Sequence, residues 1–164
     1  MNCLSFDVGG TTVKYGVIDE SYKILKKDKI LTPENENDFI YSLSNIIQEN
    51  LSIISKVSVA MPGYVNSANN KYLYGPHLKY DIDFSKLSNF TDYKFHLDND
   101  GNVAAYCEYF LNYKTKYSNL IMLTFGTGIG GGIISEGRLL RGRGNAGEIG
   151  HMLTSNDREV EVDN

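Results

Sequence analysis

The sequence predicts an α/β chain, and three observations carry that reading. Apolar and polar residues alternate in several short runs, the period of strands. A stretch around residue 40 carries apolar residues at helical spacing. A strand, a Gly/Thr turn and a second strand follow one another over residues 4–17, and the same order recurs over residues 120–140.

In chain order, Leu4, Phe6 and Val8 alternate with small or polar positions, and Val13, Tyr15 and Val17 do so again after Gly9-Gly10-Thr11-Thr12, which predicts a hairpin. A third strand is predicted over Ile24–Leu31. Pro33 and the polar run to Asn37 read as a loop and a helix start, and Phe39, Ile40, Leu43, Ile46, Ile47 and Leu51 share one face of the helix that follows. Val57, Val59 and Met61 form a short buried strand stopped by Pro62-Gly63. Residues 64–90 read as irregular. Tyr93, Phe95 and Leu97 predict a strand ending in Asp98-Asn99-Asp100-Gly101-Asn102, and a second helix is expected with Val103, Cys107, Phe110 and Leu111 on its apolar face. The near-continuous apolar run Leu120–Phe125 predicts a strand covered on both faces. Ile133, Ile134, Leu139 and Leu140 flank Glu136-Gly137 as a further hairpin, and the tail from Thr154 is acidic and polar.

The chain has 164 residues, enough for one domain or a domain plus part of another. With 41% hydrophobic and 22% charged residues it has a globular composition, not a disordered one. A formal net charge of -4 argues against non-specific nucleic-acid binding, which needs clustered Lys and Arg; Arg138, Arg141 and Arg143 are the one basic cluster and read as a solvated loop. The two cysteines, Cys3 and Cys107, belong to no CxxC pair and are expected as small buried hydrophobes in a reducing compartment. Neither a signal peptide nor a transmembrane segment is legible, so the expectation is a cytoplasmic protein without membrane or nucleic-acid partners.

Four motifs carry chemistry. In Asp7-Val8-Gly9-Gly10-Thr11-Thr12, glycines let backbone N–H groups approach a phosphate, threonine hydroxyls add donors, and a carboxylate at a strand end suits hydrated Mg²⁺. The bland alternative is an ordinary hairpin turn. Gly126 to Gly132 satisfies GxGxxG, but a dinucleotide site needs a helix next, and a strand pattern follows instead. A second phosphate-binding hairpin is the preferred reading, because five glycines in seven residues exceed what a turn requires. Asp100, in Asn99-Asp100-Gly101-Asn102, has the chemistry to accept a proton from an attacking hydroxyl, or else simply caps a helix. Glu148 and His151, three apart in Gly147-Glu148-Ile149-Gly150-His151, are spaced to bracket neighbouring hydroxyls, or else lie on a polar surface.

Together, DVGGTTVKYGV, VAMPGYV, GPHLKYDIDFSKL, LDNDGNVAAYCE and LTFGTGIGGGII followed by GRLLRGRGNAGEIGH resemble, in order, the motifs of the ROK family of sugar kinases and regulators, from about residue 3 to 151. The resemblance implies an actin-like ATPase (ribonuclease H-like) N-terminal lobe, residues 1–117, and the beginning of a second lobe, residues 118–164. It implies a kinase using ATP and Mg²⁺ on a hexose or N-acetylhexosamine, at the 6-hydroxyl, in a homodimer. Asp7, Gly9, Gly10, Thr11, Thr12, Gly126, Thr127 and Gly128 would meet the ATP phosphates and Mg²⁺. Gly63, Asn99, Asp100, Glu148 and His151 would meet the sugar, with Asp100 as the general base.

This chain departs from the family pattern at three points. His77 stands where the family more often has Asn, and Gly101 where Ala or Val is commoner. No cysteine follows Cys107, so His151 lacks the partners of a four-ligand zinc site and zinc is not expected in the chain as given; His151 would be a zinc ligand only if cysteines follow in a longer chain. The expectation is of a cut-short kinase with little activity by itself and its least stable part at residues 120–164. The competing expectations are an inactive remnant and a sugar-responsive repressor of the same family. Against the repressor, the first strand begins too close to Met1 to leave room for a helix-turn-helix, and Asp7 and Asp100 are both present.

Overall fold

The alternation at the start of the chain folds as predicted. In the computed structural model, which describes residues 2–75, 77–126 and 128–152, strand β1 (Asn2–Val8) buries Leu4, Phe6 and Val8. It turns back through Gly9–Thr11 into antiparallel β2 (Thr12–Ile18), with Phe6 opposite Tyr15. Strand β3 (Ile24–Leu31) adds antiparallel to β2 and is exposed at all but one position. As an outer strand it carries Lys26, Lys27 and Lys29, charges that discourage pairing with another chain.

Helix α1 (Glu36–Asn50) starts where Asn35 caps it, its side chain accepting the Asp38 N–H. Its buried face holds Phe39, Ile40, Leu43, Ile46 and Ile47, as the period requires. Strand β4 (Ile54–Met61) then enters beside β1 in parallel, and β8 (Lys94–Asn99) joins β4 in parallel, giving a five-stranded sheet ordered β3-β2-β1-β4-β8. Residues 64–90 are more regular than expected: β5 (Tyr64–Asn66), β6 (Lys71–Tyr74) and β7 (Ile82–Asp83) form a three-stranded antiparallel sheet. Their strands span two to four residues, too short for alternation to show. Ile82, Phe84 and Leu87 complete the core under α1, with the Phe39 and Phe84 rings edge to face at 6.1 Å.

Three tyrosines tie residues 64–93 to this core. Burial pushes the hydroxyls of Tyr72, Tyr80 and Tyr93 up to about 12 in each case. Their raised values mean that the folded state holds protons the unfolded chain has released above pH ~10. The stability they contribute is full below that pH and is lost as pH rises through about 12. We expect cooperative unfolding in that window, steepened by about 1.4 kcal/mol per pH unit for each tyrosine. A spectrophotometric tyrosine titration beside circular dichroism checks this: exposed tyrosines such as Tyr22 and Tyr41 ionise first, and ionisation of all twelve tyrosines while the fold persists would contradict it.

Two compact units divide the chain, Met1–Asn99 and Asp100–Asn164. In the second, α2 (Asp100–Glu108) runs into a wider helical turn, Tyr109–Tyr113. The sheet is β11-β10-β9, from β9 (Leu120–Phe125), β10 (Ile129–Ser135) and β11 (Arg138–Leu139). The tight turn Glu136-Gly137, both with positive φ of 53° and 76°, joins β10 to β11 as predicted.

Three expectations are corrected here. The buried face of the second helix is Gly101, Asn102, Ala105 and Tyr109, while Val103, Cys107 and Leu111 are exposed. The reason is close packing: a Cβ on Gly132 of β10 would lie 2.5 Å from the Ala105 Cβ, so only small residues fit beneath the strand. Strand β9 alternates instead of being covered on both faces, exposing Ile121, Leu123 and Phe125. Cys107 is exposed and Cys3 half-buried, and neither forms a disulfide. Among the described residues no helix is long and apolar enough to cross a membrane.

Candidate functional site

The parallel strands fix the geometry of the first unit. Asp7 on β1 is opposite Ala60 on β4, Ala60 is opposite Asp98 on β8, and Met61 is opposite Asn99. Asp7 and Asn99 therefore stand at the carboxyl ends of their strands, the edge where open α/β sheets bind ligands. Asp100 follows directly on Asn99 and opens α2.

The turn after β1 is tied down from two sides. Gly9 N–H donates to Thr12 O at 2.9 Å, closing the turn. Thr32, just past β3, donates its hydroxyl to Gly9 O at 2.7 Å and its N–H to Thr11 O at 3.0 Å. Thr32 gave no sequence signal, because its role depends on a partner that only the sheet brings near. Thr32→Val is expected to remove the hydrogen bond to the half-buried Gly9 carbonyl and to cost about 0.5–1.5 kcal/mol, read as a lowered denaturation midpoint. An unchanged midpoint would show the turn to hold itself. The Asp7 carboxylate is exposed, 3.8 Å from Lys14 Nζ, so it is accessible to a cation and its ion pair is a weak solvent-screened one.

On the other predicted flank, Gly63 follows β4 with φ +93°, a backbone that side chains rarely adopt. A Cβ there would lie 2.6 Å from both Gly75 Cα and Tyr74 O. Asn99, only 6% exposed, donates its side-chain N–H to Gly63 O at 3.1 Å. Gly63 and Asn99, read as two separate motifs, are thus one hydrogen-bonded pair. Gly10 packs against His77: a Cβ on Gly10 would lie 2.9 Å from His77 Cβ and 3.3 Å from His77 Nδ1.

In the second unit, Gly126 N–H donates to Gly128 O at 2.9 Å across the β9–β10 turn; Thr127 lies outside the described residues. The strand after this turn confirms that no helix follows the GxGxxG pattern. A Cβ on Gly126 would meet nothing within 4 Å, and its φ is not positive, so neither packing nor conformation within the described chain demands glycine there. Gly131 and Gly132 serve a different end than the turn. Gly147 lies on them, its added Cβ 2.7 Å from Gly131 O and 3.0 Å from Gly132 Cα, which seats the Glu148–His151 segment on β10. Glu148 is half-buried and His151 exposed, joined through the backbone by His151 N–H to Glu148 O at 3.3 Å. Asp100 is exposed, and its Oδ1 accepts the Gly101 N–H at 2.8 Å. A cleft of about 390 Å³ lined by Tyr106, Gly137, Arg138, Leu139 and Arg141 contains none of the predicted site residues. Among the described residues no group of three or more His, Cys, Asp or Glu is placed to hold a metal. A single exposed carboxylate such as Asp7 still suits Mg²⁺, which keeps several waters and takes one or two carboxylates plus phosphates.

Comparison with known proteins agrees with the motifs. A sequence model described as the ROK family matches residues 3–161. A beta-glucoside kinase of Listeria monocytogenes is 32% identical over 159 residues, covering 94% of this chain and 54% of that protein. A glucokinase of Streptomyces coelicolor is 31% identical over 155 residues, covering 91% of this chain and 49% of that protein. The crystal structure of a ROK family glucokinase from Streptomyces griseus, in complex with glucose and AMPPNP, superposes with a TM-score of 0.80 at 29% identity, covering 96% of this chain and 52% of that one. The chain thus spans about half the length of the curated relatives it matches.

Proposed function

Starting from the fact that this chain belongs to the ROK family, and that its sheet is the mixed α/β sheet of an actin-like ATPase N-terminal lobe, we propose that it takes part in ATP-dependent phosphorylation of a hexose or N-acetylhexosamine at its 6-hydroxyl. One observation carries the reading: Asp7, the Gly9–Thr12 turn and the Gly63–Asn99 pair share the carboxyl edge of the parallel strands, with Asp100 next in the chain. A phosphate-binding turn and a hydroxyl-binding pair are the two halves of a phosphoryl-transfer site.

In this reading, Gly10, Thr11 and Thr12 present N–H and hydroxyl donors to phosphate oxygens from a turn that the Gly9 N–H closes, and Gly126, Thr127 and Gly128 form the corresponding phosphate turn of the second unit. The glycine at 126, required by nothing in the described chain, is explained by a ligand that approaches its backbone closely. Asp7 would hold hydrated Mg²⁺, whose charge would neutralise that of the phosphates. Asn99, its amide oriented by Gly63 O, meets a sugar hydroxyl with Gly63, and Glu148 and His151 are the sugar-contacting residues proposed in the second unit. Asp100 accepts the proton of the attacking hydroxyl. The lobe boundary is proposed between residues 117 and 118, whereas compact packing divides the chain after Asn99.

The test is ATP consumption against a panel of glucose, N-acetylmannosamine, N-acetylglucosamine, allose, fructose and β-glucosides, by this chain and by a chain of the relatives' full length that carries it. Sugar-dependent turnover in the longer chain supports the reading and identifies the sugar. Saturable, sequence-specific binding to operator-like DNA without turnover would replace it with a regulator.

A further inference from the structure

We propose that His77 is a phosphate-contacting residue of the β1–β2 turn, an inference that rests on reading that turn as a phosphate site. Gly10 has no positive φ, so its conformation does not demand glycine. What excludes a side chain is His77, its Cβ and the near edge of its ring: an added Cβ would lie 2.9 Å from His77 Cβ, 3.0 Å from Cγ and 3.3 Å from Nδ1. The ring therefore rests on the turn whose N–H groups and hydroxyls would face phosphate.

The backbone on either side of His77 is held. Gly75 is wedged at the Pro62-Gly63 bend, its added Cβ 2.7 Å from Pro62 O and 3.2 Å from Gly63 Cα. Leu78 is buried, and its carbonyl accepts the Tyr72 hydroxyl at 3.3 Å. Such anchoring holds the backbone from which the ring projects, and a contact residue on positioned backbone loses less entropy on binding. His77 itself is exposed, and among the described residues its ring makes no hydrogen bond. In either neutral tautomer the imidazole presents one N–H donor, and when protonated it presents two. A donor beside a turn of N–H groups adds to an anion site, whereas the Asn more usual in the family is shorter and differently shaped.

The chain contains three histidines, His77, His96 and His151, so ring ¹⁵N spectra assign readily with single substitutions. The 164-residue protein is titrated with magnesium pyrophosphate and, separately, with adenosine, while backbone amides of Gly9 and Gly10 and the imidazole nitrogens are followed. The expected result is a shift of the His77 ring nitrogens together with the turn amides on pyrophosphate, and none on adenosine. His77→Ala is expected to weaken pyrophosphate about tenfold, the loss of one hydrogen bond to a charged group. Gly10→Ala, which displaces the ring, should weaken it too; its stability loss should shrink when combined with His77→Gly, which removes the Cβ that the added methyl meets first. Turn amides that respond while the His77 ring does not, with wild-type affinity in His77→Ala, overturn the role of His77 and leave the phosphate turn standing. Failure of both ring and turn amides to respond at millimolar pyrophosphate overturns the phosphate turn and this inference with it.

Discussion

Asp100→Asn is expected to abolish sugar-dependent phosphoryl transfer in a chain of full relatives' length while leaving sugar binding close to wild type. The carboxylate is exposed at the end of β8, immediately after Asn99, whose amide is held by Gly63. Asparagine keeps the shape and keeps an oxygen to accept the Gly101 N–H, now bonded at 2.8 Å, so the start of α2 survives. Removing a negative charge from the first turn of a helix costs about 0.3–1 kcal/mol. General-base assistance is worth about a hundred- to ten-thousand-fold in rate. The two effects separate cleanly: kcat falls by those orders of magnitude, while sugar affinity and the unfolding midpoint move little. Near-normal turnover in the variant would leave Asp100 with only its helix-capping role.

The largest stability loss from a single added methyl group is expected at Gly63→Ala. The φ of +93° is unfavourable for alanine, and its Cβ would stand 2.6 Å from Gly75 Cα and from Tyr74 O, both backbone atoms that cannot swing aside. Overpacking of this kind costs about 1–3 kcal/mol and a left-handed backbone about 1–2 more. Against total stabilities of about 5–15 kcal/mol, that is a substantial share. Since Gly63 O accepts from Asn99, the same change disturbs the proposed sugar-binding pair. A urea titration giving the wild-type midpoint would show that the Gly63–Gly75 contact yields more easily than the packing implies.

The hairpins and α1 were legible because their periods are long enough to count: Leu4-Phe6-Val8 and Val13-Tyr15-Val17 on the strands, Phe39 to Ile47 on the helix. The face of α2 was not, since what packs there is Gly101, Asn102 and Ala105, residues without a hydropathic signature, selected by Gly132 across from them. Nor could sequence separate the glycines of 126–132 by role. Gly126 and Gly128 form the turn, whereas Gly131 and Gly132 make room for neighbouring chain. The candidate residues were found as separate motifs. Their pairings, Gly63 with Asn99, Gly9 with Thr32 and Gly10 with His77, join positions distant in sequence and leave no local trace.

The mixed pairing of the first sheet sets an order of assembly. Strands β1, β2 and β3 meet through adjacent turns, so their contacts close short loops and form early. Strand β4 must find β1 in parallel after α1 has been made, with Phe6 opposite Val59, and β8 must then find β4, with Val59 opposite Leu97. On a ribosome, where the chain emerges from its N-terminus, β8 is the last of these to appear. The β1–β2 turn is therefore an early product of folding, and the Gly63–Asn99 hydrogen bond a late one. Pulse-labelling hydrogen exchange should show amides of β1 and β2 protected before those of β8; protection of β8 first would reverse this sequence of events.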